Sequence, residues 1–251
     1  MKKMISIILI IVTIMVCSIS ATSGAYIPSE IKSPWENEKT ELQLQIANCE
    51  QKQTAAHDMV EAARMLGYNE NHAVIILAKT EWHAAESQRQ EAIKQFNDII
   101  AKEAKMFQQF EEYPIATIIW YYLKDLGYND YVCAGIVGNI MAEVGGHTLD
   151  IRYWLGSSSY YGMCQWSLKY NKNINNTTLD QQLEYLKNTI ETEINNFGFC
   201  YKKNFNYKSF LALTNEKDAA LAFAKTYERC ASAYYNIRKT NATKALEYFT
   251  K

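Results

Sequence analysis

Glu143 is the residue whose setting best suits chemistry. It closes an apolar run, Val132-Cys-Ala-Gly-Ile-Val-Gly-Asn-Ile-Met-Ala-Glu143, which breaks at Gly145-Gly146 and leads on to Tyr160-Tyr-Gly-Met-Cys-Gln-Trp166. Burial disfavours the charged form of a carboxyl group, so a Glu in partly dry surroundings can keep its proton near neutral pH. Such a group protonates the leaving oxygen of a glycosidic bond while the sugar becomes oxocarbenium-like. The loop that follows has the matching chemistry. Gly162 permits close backbone approach, Gln165 offers a donor and an acceptor to sugar hydroxyls, and Trp154, Tyr160, Tyr161 and Trp166 are flat apolar faces with polar tips. A plainer account stands beside this one: a helix-end Glu that reaches water, and a Tyr/Trp loop that covers a core.

The element that positions Glu143 is a helix. Val132, Ile136, Val137, Ile140, Met141 and Val144 recur at helical spacing and turn one stripe toward a core. Glu143 follows Ile136, Asn139 and Ile140 by seven, four and three residues, which puts it on the edge of that stripe.

The run Ala134 to Glu143 followed by Tyr161-Gly-Met-Cys-Gln-Trp166 resembles the phage tail lysozyme family of the lysozyme-like superfamily. The resemblance continues through Leu179 to Leu186, Ala222-Phe-Ala-Lys-Thr-Tyr-Glu-Arg-Cys230, Arg238 and Ala242 to Phe249, and covers roughly residues 114–251. It implies a lysozyme-like helical domain acting on peptidoglycan glycan strands, with Glu143 as catalytic acid and Gly162 and Gln165 lining the cleft, as in lytic transglycosylases. The chain departs from the commoner pattern after the acid. Glu143-Val-Gly-Gly-His-Thr-Leu-Asp150 stands where the family often has Glu-Ser-Gly and an Asn-Pro turn, which leaves the hydrogen bonding around the acid open. The resemblance also brings Cys164 and Cys230 near the cleft motif and the Glu-Arg segment, as buried thiols or as a bridge.

A hydrolase of the usual kind needs a second carboxylate across the scissile bond. Asp150 and Glu228 are the candidates, and each has a structural alternative: Asp150 as a turn residue, Glu228 as the partner of Arg229. Without a second carboxylate, the similar lytic transglycosylases use one Glu as acid and then base while a hydroxyl of the sugar attacks. Neither route needs a cofactor or a metal, and the histidines His57, His72, His83 and His147 lack zinc-ligand spacing. A secreted binding or assembly protein with a lysozyme-like shape and no turnover is the rival from another class.

The amino terminus points to export. Lys2-Lys3 precedes an apolar run from Met4 to about Ile19, and small residues up to Ala25 offer cleavage sites, so residues 1–25 read as a signal peptide, with an uncleaved membrane anchor as the alternative. Loss of a leader carrying Lys2 and Lys3 and no acid takes the formal net charge from −1 to −3. A nearly neutral chain has no field for nucleic acid. Of the six cysteines, Cys17 would leave with the leader, and five cannot all pair within one chain. Cys133 belongs to the helix stripe and reads as a small core residue.

Residues 26–112 differ in kind. Tyr26 to Trp35 looks like a linker. Glu38 to Leu66 and His72 to about Glu111 are Gln-, Glu-, Lys- and Ala-rich and predict two long helices, stopped at Gly67 and restarted by Asn71 as an N-cap. Their apolar stripes are expected through Leu42, Ile46, Cys49, Ala56, Met59, Val60, Ala63 and Leu66, and through Ile75, Ile76, Trp82, Ile93, Phe96, Ile100 and Phe107, giving a helical hairpin that serves as a spacer or a wall-binding module. Pro114 opens the catalytic domain, residues 113–251. There the pattern predicts a helix from Leu179 to Phe197 and shorter ones to the end, with a small hairpin expected in Tyr201 to Tyr207 or Arg152 to Tyr161. The fold class is mainly α.

Overall fold

The two Gln/Glu/Lys-rich runs fold as long helices, α1 (Glu36–Met65) and α2 (Ala73–Glu112), in the computed structural model, which describes residues 33–251. The expected leader, Cys17 and the first part of the linker lie outside the described residues. The seam between α1 and α2 is narrower than the large apolar residues predict. Leu42, Cys49, Ala56 and Ala63 are buried on α1, and Ala78, Ala85, Ala92, Ile99 and Met106 on α2. Each set repeats every seven residues, the period of a coiled coil. Met59, Leu66, Ile76, Trp82 and Ile100, expected on the stripes, are instead exposed. An Ala-rich seam lets two helices approach closely, so the bulky neighbours fall outside it. Lys39 reaches across to Glu103 at 2.8 Å. The cap of α2 also differs from expectation: His72 Nδ1 accepts from the Val74 N–H at 3.3 Å, while Asn71 precedes the cap.

The hairpin joins the rest of the chain through Tyr113 and α3 (Pro114–Asp125), with Pro114 in the first turn. Gln109 ties the base of the hairpin to the carboxyl-terminal helix, donating to the Tyr248 carbonyl at 3.1 Å and accepting from Tyr121 Oη at 3.1 Å.

The central helix of the remainder is α4 (Asp130–Val144), capped by Asn129, whose side chain accepts from the Val132 N–H. Every residue from Val132 to Met141 is buried, including Cys133, so α4 is buried on all sides and not on one stripe. Helices α5 (Leu179–Phe197), α6 (Tyr207–Leu211), α7 (Glu216–Phe223) and α8 (Tyr235–Thr250) complete a mainly α body. Thr178 and Gln181 form a reciprocal capping box at the start of α5. The one sheet among the described residues pairs β1 (Tyr160–Tyr161) antiparallel with β2 (Trp166–Ser167), Tyr161 opposite Trp166. It overlaps the expected Arg152 to Tyr161 segment only at Tyr160 and Tyr161 and lies well before Tyr201 to Tyr207, because the reversal occurs at Gly162, whose φ of +85° is left-handed.

Close helix approach explains a glycine of α4. A Cβ added to Gly138 would stand 2.4 Å from the backbone nitrogen of Ala242 on α8. The obstacle is backbone and cannot rotate away, so Gly138→Ala is expected to cost about 3 kcal/mol, the upper part of the range for overpacked cores. Urea unfolding measures it; a loss below about 1 kcal/mol would show that α4 and α8 separate easily.

Candidate active site

Glu143 sits in the last turn of α4, where the helix leaves the core. Its side chain keeps 21 % of its exposure, so the carboxyl group is partly dry and still reaches solvent. Its partner is Arg238 of α8, whose Nη2 donates to Glu143 Oε1. Arg238 is itself deeply buried, its side chain 4 % exposed. One turn before Glu143, Asn139 fixes the same guanidinium: Arg238 Nη1 donates to Asn139 Oδ1 at 2.9 Å and to its carbonyl at 3.2 Å. Asn139, wholly buried, spends its amide on the Gly135 and Ala220 carbonyls at 2.7 and 3.0 Å. Three helices are thus pinned around one cation, and a buried charge needs such pairing to be tolerated.

Glu228 completes the group. It ends a π-helical turn, Ala224–Glu228, which runs on from α7 and stops at Arg229 in a left-handed conformation with φ of 51°. Single π turns of this kind are frequent at functional sites. Glu228 Oε1 is sealed from solvent and accepts no hydrogen bond, and Arg238 Nε is likewise buried with no partner. Burial first, and the charge of Glu143 second, push the Glu228 carboxyl up to about 8, against the pull of Arg238. The thiol of Cys164 lies against Glu228 and is held well above its ordinary range, by burial first and then by the Glu228 charge. Cys230 lies against Arg238, and burial raises its thiol too. Both cysteines are free thiols. Arg229, offered by the sequence as the structural partner of Glu228, pairs instead with Glu193 and lies 4.5 Å from the centre of the Phe197 ring.

The loop residues separate into two kinds. Trp154 and Tyr160 face solvent, 53 % and 51 % exposed. Tyr161 and Trp166 are packed into the core, with Trp166 Nε1 donating to Tyr227 Oη at 3.0 Å. Gln165 has a φ of 47° and closes the loop on itself, Nε2 donating to the carbonyls of Leu155 at 3.0 Å and Gly162 at 2.9 Å. A Cβ at Gly162 would stand 2.7 Å from Gln182 Oε1. That oxygen accepts from the Met163 N–H at 2.8 Å, so α5 holds the turn directly. Asp150 and His147 are exposed in the turn after α4, His147 with a φ of 67°.

Arg238, Asn139 and Gln182 are the residues that motif reasoning passed over. Asn139 carried a readable signal, since an amide inside an otherwise apolar helix must find partners. No group of three or more His, Cys, Asp or Glu side chains among the described residues could hold a metal ion. A cavity of about 980 Å³ lies between the base of the hairpin and α3 and α5, lined in part by Glu36, Tyr121, Tyr122 and Glu184, and it shares no residue with the Glu143 group.

Compared with known proteins, residues 114–249 match a family model described as phage tail lysozyme. No curated protein and no solved structure matches the chain.

Proposed function

The chain belongs to the phage tail lysozyme family, and from that premise we propose that it cleaves the β-1,4 glycan backbone of peptidoglycan with Glu143 as general acid. The observation that carries this reading is the placement of Glu143. It is a half-dry carboxyl group at the open end of a buried helix, aimed by Arg238 and Asn139. An acid must be held within hydrogen-bond reach of the leaving oxygen, and a side chain gripped by a buried cation is held in that way. Trp154 and Tyr160 supply exposed faces for sugar rings, whereas Gly162, Gln165, Tyr161 and Trp166 shape the loop that presents them.

Glu228 shares a cation with Glu143 and its Oε1 is sealed, so it is not set to activate a water across the scissile bond. Asp150 remains the candidate for that place. Without it, Glu143 acts as acid and then base while a sugar hydroxyl closes on the anomeric carbon. The signal peptide expected over residues 1–25 fits a substrate that lies outside the cell membrane.

Incubation of the protein with purified cell-wall sacculi tests the reading. Soluble muropeptides are expected, and their masses separate water attack from intramolecular attack, because an anhydro end lacks one water. Sedimentation with the walls and no released fragment would replace this reading with that of a wall-binding or assembly protein.

A further inference from the structure

The charges around Glu143 outnumber what a single acid needs. Two carboxyl groups, on α4 and on the π-helical turn, converge on one buried guanidinium from α8. The orphaned atoms lie on the Glu228 side of the group: Oε1 of Glu228 accepts nothing and Nε of Arg238 donates to nothing, though both are buried. A buried unsatisfied oxygen costs free energy, and an ionised carboxylate there costs far more than a neutral acid.

We propose that Glu228 is a positioning residue that shares one proton with Glu143 across Arg238, keeping it while the cleft is empty and yielding it to Glu143 when a glycan strand fills the cleft.

The inference rests on the general-acid reading of Glu143 and adds a source for its proton. In the empty protein Glu143 pairs with Arg238 and its side chain reaches solvent. At Glu228 burial and the charge of Glu143 outweigh the pull of Arg238, and its carboxyl stays protonated up to about pH 8. Substrate entry displaces water from Glu143 and raises its affinity for the proton. The proton then passes from Glu228 to Glu143 and on to the glycosidic oxygen as that C–O bond breaks. The negative charge remains on Glu228, facing Arg238. When the attacking hydroxyl loses its own proton to Glu143, that proton returns to Glu228 and the pair is restored. The groups facing Glu228 are Glu143 from α4, Arg238 from α8, Cys164 from the β1–β2 turn, and Arg229 beside it in the chain. Cys164, and nearby Cys230 and Tyr227, are raised by burial and stay neutral at working pH, and Arg229 is taken by Glu193, so the one cation left between two carboxyl groups, Arg238, sets the count of one shared proton.

The sign follows from the direction of the shift. A carboxyl group raised to about 8 is protonated below that pH and ionised above it, so wild-type wall cleavage is expected to fall above about pH 8. Glu228→Gln removes the store and keeps the shape. The alkaline limb of its rate profile should move down by about one pH unit or more, so that the ratio of rates at pH 5 and pH 8 grows at least roughly tenfold. A uniform loss at every pH would mean that Glu228 only supports the fold, and overturns the proposal. Glu143→Gln is the control for the underlying reading: if it cleaves walls like the wild type, that reading fails independently of the pair. Carbon NMR titration of δ-labelled Glu then tests the pair without turnover. The Glu228 midpoint should fall in Glu143→Gln, where the neighbouring charge is gone, and an unchanged midpoint refutes sharing.

Discussion

Glu143→Gln is expected to reduce the release of soluble muropeptides by roughly a thousandfold, the middle of the range for removal of a general acid. The substitution is nearly isosteric, and its amide oxygen still accepts from Arg238 Nη2 in place of Oε1. The fold should survive because Glu228 stands beside the same cation and can ionise to balance it. A melt followed by circular dichroism should therefore shift little while activity collapses. Retention of more than about a tenth of the wild-type rate would remove Glu143 from the chemistry.

Arg238→Met should cause the largest loss of stability. Arg238 is 3 % exposed and joins α8 to Asn139 and Glu143 of α4. Its removal leaves two carboxyl groups in one half-buried space with no cation and strands the Asn139 side-chain oxygen. Breaking a buried pair from one side costs about 3–5 kcal/mol, because an uncompensated charge stays behind. For a chain of this size that is a fall in Tm on the order of 10 °C. Lysine restores the charge and not the fork that reaches Asn139 and Glu143 together, so Arg238→Lys should recover part of the stability. Urea unfolding of the three proteins tests the order; a Met variant within about 1 kcal/mol of wild type would show that the cation does little.

Local signals made much of the architecture legible. Gly67 after Leu66 and Pro114 at the start of the next segment mark helix ends through local conformation, and the structure keeps both, with Gly67 at a φ of 83° and Pro114 in the first turn of α3. The hairpin was legible as two helices and along the α1 side of its seam, where Leu42, Cys49, Ala56, Val60 and Ala63 are buried as expected, and misread on α2, where Ile75 alone of the expected residues is buried. Large apolar residues dominate a hydrophobic pattern, yet Ala78, Ala85 and Ala92 are buried on the α2 side of the seam. Alanine is the best helix former and also the residue that allows closest approach, so its role cannot be told apart without the partner helix. Trp166 poses the same difficulty, since an aromatic with a polar tip suits a sugar or a core. Tyr227, from a distant turn, decides it by accepting the indole N–H.

Sequence alone determined that this chain is mainly helical, that a lysozyme-like segment occupies its carboxyl-terminal half, and that Glu143 stands where an apolar helix ends. The helical character and the place of Glu143 depend on periodicity and on bonds between near neighbours, the lysozyme-like segment on its resemblance to the family. The electrostatics of the site was decided only by tertiary structure. Arg238 comes to Glu143 from 95 residues away, and Glu228 is brought to the same cation by a π-helical turn whose irregular spacing has no sequence period. The charge state of a carboxyl group depends on what surrounds it within a few ångströms, and that set of neighbours exists only once α4, α7 and α8 have packed.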